Sequence, residues 1–330
     1  MVKGSTLGAG IPVSAPEGAV PVIVTLTMNP SVDVNTGVNQ VVPEHKLRCS
    51  AARYEPGGGG INVSRALRNL GEESLALYTA GGNRGVLLQE LLAQEGLRHR
   101  ALAVAEPTRE SFAVLEALSG QQFRFSLPGP ELSEPEWRAC LAALAALSPT
   151  PAVIVASGSL PAGVPDDFYH QVAVLGRAVG ARVIVDTSGP ALQATISASL
   201  FLIKPNLREL ALLVGRPLDD EEAVEQAALE LVGLGHTAVI VSLGAAGALL
   251  ATGDGCERLR APTVPIRSKV GAGDSMVAGI VAGLARGFEL REAARFGVAA
   301  GTAAVMTSGS ELCRCDDAER LYRRMRTVRA

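Results

Sequence analysis

Six short runs of apolar, mostly β-branched residues punctuate this chain, at positions 22–27, 75–79, 152–156, 182–186, 200–203 and 238–242. Between them lie longer segments with helix-like apolar spacing, at 61–70, 86–95, 135–147, 167–179 and 221–234. Continuous apolar runs suit strands covered on both faces, and few architectures satisfy a repeated strand–helix alternation. The pattern predicts an α/β fold, a mainly parallel sheet sandwiched by helices. In such sheets ligands bind beyond the carboxyl ends of the strands. The residues that follow the runs fit that placement, being largely polar or glycine: 29–33, then Ser157, Gly158 and Ser159, then 186–189, 204–206, and Ser242 with Gly244.

Two regions break the alternation. Residues 34–54 show no helical period, and 111–118 and 122–127 read as two strands around 119–121. In the second, Phe123, Phe125 and Leu127 alternate with Arg124 and Ser126. These pieces, about 34–54 and 108–128, predict a small β-sheet that projects from the core as a lid. An apolar lid face needs cover, which points to a homodimer formed through it. The rest reads as one domain over residues 21–330, preceded by a flexible extension at 1–20.

A chain of 330 residues, 48% of them hydrophobic, can bury one large core. Its net charge of -3 argues against a nucleic-acid partner; the one Arg-rich stretch, 320–329, has the spacing of an amphipathic helix. No apolar stretch reaches the roughly 18–20 residues of a membrane span, and 1–20 hold no compact apolar core of a signal peptide. Five scattered cysteines suggest reduced thiols and a cytoplasmic location. Cys313 and Cys315 have no second pair or histidine cluster with which to bind a metal.

The chemistry concentrates in three places. Gly271, Ala272 and Gly273 run straight into an apolar, helix-like segment. The backbone N–H groups at a helix start lack intrahelical partners and attract anions. Asp274 would stand beside any phosphate held there. A carboxylate so placed is costly unless it moves a proton, although it could also serve only as a first-turn acid. Four glycines at 57–60 permit close backbone approach, and Asn62 could bond a sugar hydroxyl or cap a helix. In the stretch from Lys204 to Glu209, Asn206 and Glu209 lie three residues apart. They could order Mg²⁺ through water or form a capping box, and the spacing allows both. Asp33 could pair with sugar hydroxyls or end a turn. There is no P-loop, and Met276 occupies the place of a dinucleotide fingerprint's third glycine.

Taken together, these segments resemble the PfkB (ribokinase-like) carbohydrate kinases over nearly the whole chain. The glycine run with Asn62 corresponds to that family's first signature, Gly271 to Asp274 to its second, and Asn206 with Glu209 to its N-x-x-E magnesium motif. Three stretches point to the branch that phosphorylates fructose 6-phosphate: 46–49, 55–62 and 205–209. Sibling branches acting on fructose 1-phosphate or tagatose 6-phosphate usually carry a lysine where Gly59 stands. The resemblance implies an ATP-dependent kinase with Asp274 as general base and Gly271, Ala272 and Gly273 as donors to the transferring phosphate. It implies a sugar site at Asp33, Gly58, Gly59, Asn62 and Ser159. Arg109 at the lid root would hold the 6-phosphate, helped by Lys46 and Arg48 on a lid strand. Lys204, Asn206, Ser242, Gly244 and Gly247 would line the ATP site, and Glu209 would order Mg²⁺. A monovalent cation can bind near 267–270 in this family; here Lys269 stands where relatives commonly have Ser or Thr. A non-catalytic sugar-phosphate or nucleotide sensor is the alternative from another class.

Overall fold

The computed structural model describes residues 22–309 and 311–327; the expected extension at 1–20 lies outside them. Strands β1 (Ile23–Thr27), β2 (Ser31–Val38) and β3 (Arg53–Gly57) precede α1 (Gly59–Asn69), β4 (Leu75–Ala80), α2 (Gly82–Gln94) and β5 (Arg98–Ala103). A hairpin of β6 (Arg109–Glu116) and β7 (Gln122–Ser126) is followed by α3 (Glu134–Ala145), β8 (Val153–Ser157), α4 (Phe168–Ala178), β9 (Arg182–Asp186) and α5 (Gly189–Gln193). Then come β10 (Leu202–Ile203), α6 (Leu207–Val214), α7 (Glu221–Gly233), β11 (Ala238–Ser242), β12 (Ala248–Thr252) and β13 (Gly255–Leu259). Helices α8 (Ala272–Ala285), α9 (Leu290–Ala304) and α10 (Cys315–Thr327) close the chain.

The main sheet has the order β13-β12-β11-β10-β9-β8-β1-β4-β5. It is parallel except for β12 and β13, which pair antiparallel at one edge. All six expected core strands are present. The β12–β13 hairpin and β5 were not anticipated; β5 carries Arg98, His99 and Arg100, whose polarity hides a strand.

Alternate residues of each strand feed opposite layers. Val153, Val155 and Ile184 pack with α1, α8, α9 and α10. Ile154, Ala156 and Val185 pack with α3, α4 and α7. Helix α8 is buried at every position from Ser275 to Gly283, as expected of a helix that is apolar all round. Its fit against α9 depends on missing side chains. A Cβ on Gly279 would lie 2.7 Å from the Ala300 Cβ and 2.8 Å from the Gly297 Cα. Arg286 anchors the far end of α8, bonding Glu72 at 2.9 Å and Glu319 at 2.6 Å.

The predicted projecting sheet is real and has the order β3-β2-β6-β7. Its register sorts the residues by face. Asp33 pairs with Ser111, which pairs with Ser126, and Ala113 pairs with Arg124. The intervening residues, Val34, Phe112, Val114, Phe123 and Phe125, share the other face. Phe125 and Tyr54 on that face are exposed. Two details differ from expectation. Asp33 belongs to lid strand β2 rather than to a turn after β1: β1 ends at Thr27, residues 28–30 turn the chain, and pairing resumes at Ser31. Lys46 and Arg48 do not lie on a lid strand; they occupy the exposed segment 39–52 between β2 and β3.

The tight α8–α9 contact makes a prediction. Gly279→Ala should destabilise by about 1–3 kcal/mol through overpacking, despite the better helix propensity of alanine. Gly233→Ala, where no atom lies within 4 Å of the added Cβ, should instead be neutral or stabilising by about 0.4–1 kcal/mol. Denaturant melts of the two variants check the pair; equal effects would contradict the packing account.

Candidate active site

Chain order in the main sheet reverses at β1 and β8, which are adjacent but lead to opposite edges. Such a switch point leaves a crevice at the carboxyl ends of the strands. The glycine run fills part of it. A Cβ on Gly60 would fall 2.6 Å from the Leu26 carbonyl oxygen, and one on Gly58, at φ +118°, 2.7 Å from Thr27. A Cβ on Gly59 would strike the Ser157 hydroxyl and come within 2.7 Å of the Gly158 nitrogen. These glycines let α1 start directly against the ends of β1 and β8. Their close approach is to the protein's own backbone, and a lysine at 59 would require the end of β8 to move.

That start presents Asn62 to the first turn of α8. The Asn62 Nδ2 donates to Asp274 Oδ2 at 3.0 Å, joining residues 212 apart. The Asn62 Oδ1 is buried without a hydrogen-bond partner, an uncommon state for a buried polar atom. Gly271, at φ +71°, caps α8 and turns the backbone into the helix. No side chain caps that end, so its N–H groups keep their capacity for an anion.

Lys204, buried at the end of β10, bonds Asp186 Oδ1 at 3.0 Å. A Cβ on Gly273 would stand 3.5 Å from the Lys204 Nζ, so this ammonium sits against the first turn of α8. Burial works against the Lys204 charge, but Asp186, with Asp274 and Glu209, more than offsets it and raises its pKa. Asp274 is pushed the other way for a carboxyl, from 3.8 up to about 7, first by burial and then by the like charge of Asp186. Asn62, Lys204 and Arg124 oppose the rise. Such a carboxyl is poised to take a proton near neutral pH.

The lid supplies a second group. Asp33 accepts from Ser31 Oγ at 2.6 Å, and burial raises its pKa against the pull of that bond, Arg109, Arg124 and Arg65. Arg109 opens β6 at the lid root, as expected. It donates to the Asn29 carbonyl at 3.2 Å and to Ser126 Oγ at 2.9 Å. The Asn29 amide in turn donates to Ser159 Oγ at 3.1 Å, which ties the turn after β1 to the turn after β8. Arg124 was missed as a site residue. Its charge reaches both Asp33 and Asp274, and it lines a small cavity with Asp33, Asn35 and Ser111. The signal was present: the alternation that turns Phe123 and Phe125 one way turns Arg124 the other. Asp186 was also missed, since as a strand-end acid it is indistinguishable from a turn residue.

Asn206 and Glu209 resolve as a capping box. Asn206 Oδ1 accepts from the Glu209 N–H at 2.9 Å, and Glu209 Oε2 from the Asn206 N–H at 2.8 Å. Asn206 is exposed and bridges β11 through Ser242. The Glu209 Oε1 takes no part in the box. One partly exposed carboxylate oxygen fits Mg²⁺ held through its own waters, because that ion keeps several of them. Among the described residues no group of three His, Cys, Asp or Glu could cage a metal directly. The segment at 244–247 forms a tight turn, with Leu243 N–H bonding the Gly247 carbonyl at 2.9 Å and Gly247 at φ +96°. Ser242, Gly244 and Gly247 thus stand together beside Asn206.

Comparison with known proteins agrees in extent and fold. The sequence profile of the pfkB family carbohydrate kinases matches residues 22–316. The ATP-dependent 6-phosphofructokinase isozyme 2 of Mycobacterium tuberculosis is 47% identical over 303 residues, covering 92% of this chain and 89% of that protein. Phosphofructokinase-2 of Escherichia coli, solved with fructose-6-phosphate, is 41% identical with a TM-score of 0.87, covering 93% of this chain and 99% of that one. A structure of the same enzyme with potassium gives a TM-score of 0.89. A 1-phosphofructokinase of Xanthomonas campestris is 36% identical over 84% of this chain and 88% of its own length.

The raised Asp274 carboxyl carries a stability consequence. Its folded value of about 7 lies above the ordinary 3.8, so the unfolded chain releases that proton first as pH rises. The resulting penalty grows from pH 3.8 and is fully developed above about 7. Asp274→Asn escapes it. The variant should melt several degrees above the parent protein at pH 8, with the gap narrowing toward pH 5. Calorimetry at the two pH values checks this; equal melting temperatures at pH 8 would remove the strain attributed to the half-buried charge.

Proposed function

The chain belongs to the pfkB family of carbohydrate kinases, and within it we propose that this protein transfers a phosphoryl group from ATP to the C1 hydroxyl of fructose 6-phosphate, giving fructose 1,6-bisphosphate. The observation that carries the reading is Asp274: half-buried, oriented by Asn62 at 3.0 Å, and standing in the first turn of a helix whose N-terminus has no side-chain cap. The choice of sugar is supported by the 6-phosphofructokinase relatives at 47% and 41% identity.

In the reaction, Asp274 takes the proton of the C1 hydroxyl as its oxygen forms a bond to the γ-phosphorus and the bond to ADP breaks. Positioning and charge neutralisation dominate such transfers. The N–H groups of Gly271, Ala272 and Gly273 face the developing phosphoryl charge. Lys204 stands beside them with its ammonium steadied by Asp186. Mg²⁺, ordered through water by Glu209, would neutralise the nucleotide phosphates; Ser242, Gly244 and Gly247 would line the nucleotide. The relative solved with potassium supports a monovalent cation, and the family resemblance points to the 267–270 segment, where Lys269 replaces the common Ser or Thr.

Asp33, Gly58, Gly59, Asn62 and Ser159 would hold the sugar. Arg109 and Arg124, on neighbouring lid strands, offer two guanidiniums to the 6-phosphate, a bidentate match. Lys46 and Arg48, outside the cleft of their own chain, would serve a partner's site across a dimer built on the exposed apolar lid face. The lid is best regarded as an insertion in one kinase domain. Five unpaired cysteines, and no helix among the described residues long and apolar enough to cross a membrane, support a cytoplasmic enzyme.

A kinase for fructose 1-phosphate or tagatose 6-phosphate is the competing reading. The packed Gly59, which leaves no room for a lysine, weighs against it. An ADP-release assay with MgATP and each of the three sugar phosphates decides between them, with Asp274→Asn alongside. Fructose 6-phosphate should give the highest kcat/KM, and the variant should lose roughly 10³-fold or more in kcat. Preference for another sugar phosphate would overturn the substrate assignment, and a variant with most of its kcat would overturn the base.

A further inference from the structure

The outer edge of the main sheet holds a second concentration of charge. No strand lies beyond β13 among the described residues. Beside it a cleft of about 420 Å³ opens between β13, the 260–263 segment that follows, α9 and the end of α10. Four arginines line it, Arg258, Arg260, Arg295 and Arg324, against one carboxylate, Glu257. In a chain of net charge -3 this is a local reversal of sign, and a concave basic wall focuses potential on anions.

Glu257 cannot balance the cluster, because it already bonds both Arg295 and Arg291, the latter outside the cleft. Arg295 is a built feature rather than a mobile surface charge. Its side chain is only 8% exposed and is clamped by Glu257 and Glu292; Glu292 is itself fixed by the Tyr322 hydroxyl at 2.8 Å. Arg258 pairs with Glu221. Arg260 and Arg324 are exposed and form no ion pair with any described residue. The remaining wall is partly apolar, with Pro262 and Met325. The volume suits a compact small molecule, and two unpaired guanidinium forks match the oxygens of a phosphoryl group.

We propose that this cleft binds a phosphate-bearing small molecule, its phosphoryl group between Arg260 and Arg324 above the fixed Arg295, and its body against Pro262 and Met325. The site lies outside the kinase machinery described above. It touches that machinery at one place. A Cβ on Gly247 would stand 2.7 Å from the Ala261 nitrogen, so the 260–263 segment is packed against the turn assigned to ATP. Occupancy of the cleft stiffens this segment and alters the affinity for ATP; that coupling, unlike the site itself, rests on the nucleotide placement proposed above.

Calorimetric titration of the full-length protein and of an Arg260→Ala/Arg324→Ala variant tests the site with two probes, inorganic pyrophosphate and AMP. The unmodified protein should bind one equivalent more than the variant, or bind at least tenfold more tightly at that site, while the variant keeps its kcat within twofold. Tighter AMP assigns the cleft to nucleoside phosphates, and tighter pyrophosphate to polyphosphates. Identical titrations of the two proteins with both probes would overturn the site, whatever the enzyme's substrate proves to be. A KM for ATP that shifts at least twofold with pyrophosphate in the unmodified protein, but not in the variant, supports the coupling; an equal response in both would overturn it.

Discussion

Helix α8 has no solvent-facing side between Ser275 and Gly283, and the geometry of the site follows from that confinement. Glycines at 279, 283 and 297 let α9 close on it, and Arg286 ties its far end to Glu72 and Glu319. A helix so held has a fixed N-terminus. Its unpaired N–H groups and the Asp274 carboxyl therefore need little reorganisation to meet a developing charge, which is the condition under which fixed dipoles act most strongly. Asp274, half-buried just ahead of that stretch, has its pKa lifted toward neutrality by partial burial and by Asp186. Packing and chemistry are linked here: the helix that is held by burial carries, in its first turn, the aspartate proposed as the base.

The second constraint is electrostatic. Asp274, Lys204 and Asp186 form a line of alternating charge with little solvent, and the ammonium bonds Asp186 rather than Asp274. Asp186 thus keeps Lys204 oriented while its own charge raises Asp274. Two half-buried carboxylates so close together would be costly without the buried lysine beside them. A lid whose polar face carries Asp33, Arg109 and Arg124 completes the cleft, and its opposite face leaves aromatic residues uncovered.

Much of this was legible in residue order, for identifiable reasons. The core strands announced themselves because both faces are buried, so the apolar runs are unbroken. Gly271 to Asp274 were legible because an uncapped helix start has a distinctive composition. The strand β5 was hidden by Arg98, His99 and Arg100, and edge strand β13 by Glu257 and Arg258; β12, a buried apolar run at Ala248–Thr252, carried a strand signal that was passed over. For Asp33, sugar binding and a turn end stayed equally open, because only residues 28–30 separate β1 from the lid strand that carries it. The 46–48 region was expected on a lid strand by resemblance, and it is an exposed loop, with no strand pattern of its own. Arg124 was legible in its alternation with Phe123 and Phe125, whereas Asp186 depends on Lys204 at the end of the neighbouring strand β10, which no local pattern reveals. At Asn206 and Glu209 the structure shows the capping box, which uses one oxygen of Glu209 and leaves the other for the proposed Mg²⁺.

The account turns on Asp274 being a proton acceptor that burial and Asp186 have shifted to about 7. The most direct measurement is the pH dependence of kcat/KM for the sugar phosphate at saturating MgATP, which reports groups that titrate in the sugar-free form of the enzyme. Activity should rise with pH through a single ionisation near 7, since only the deprotonated carboxylate can accept the C1 proton, and flatten above it. A profile already flat from pH 5 upward would mean that the group removing the proton is ionised throughout. The half-buried, raised aspartate would then not be the base.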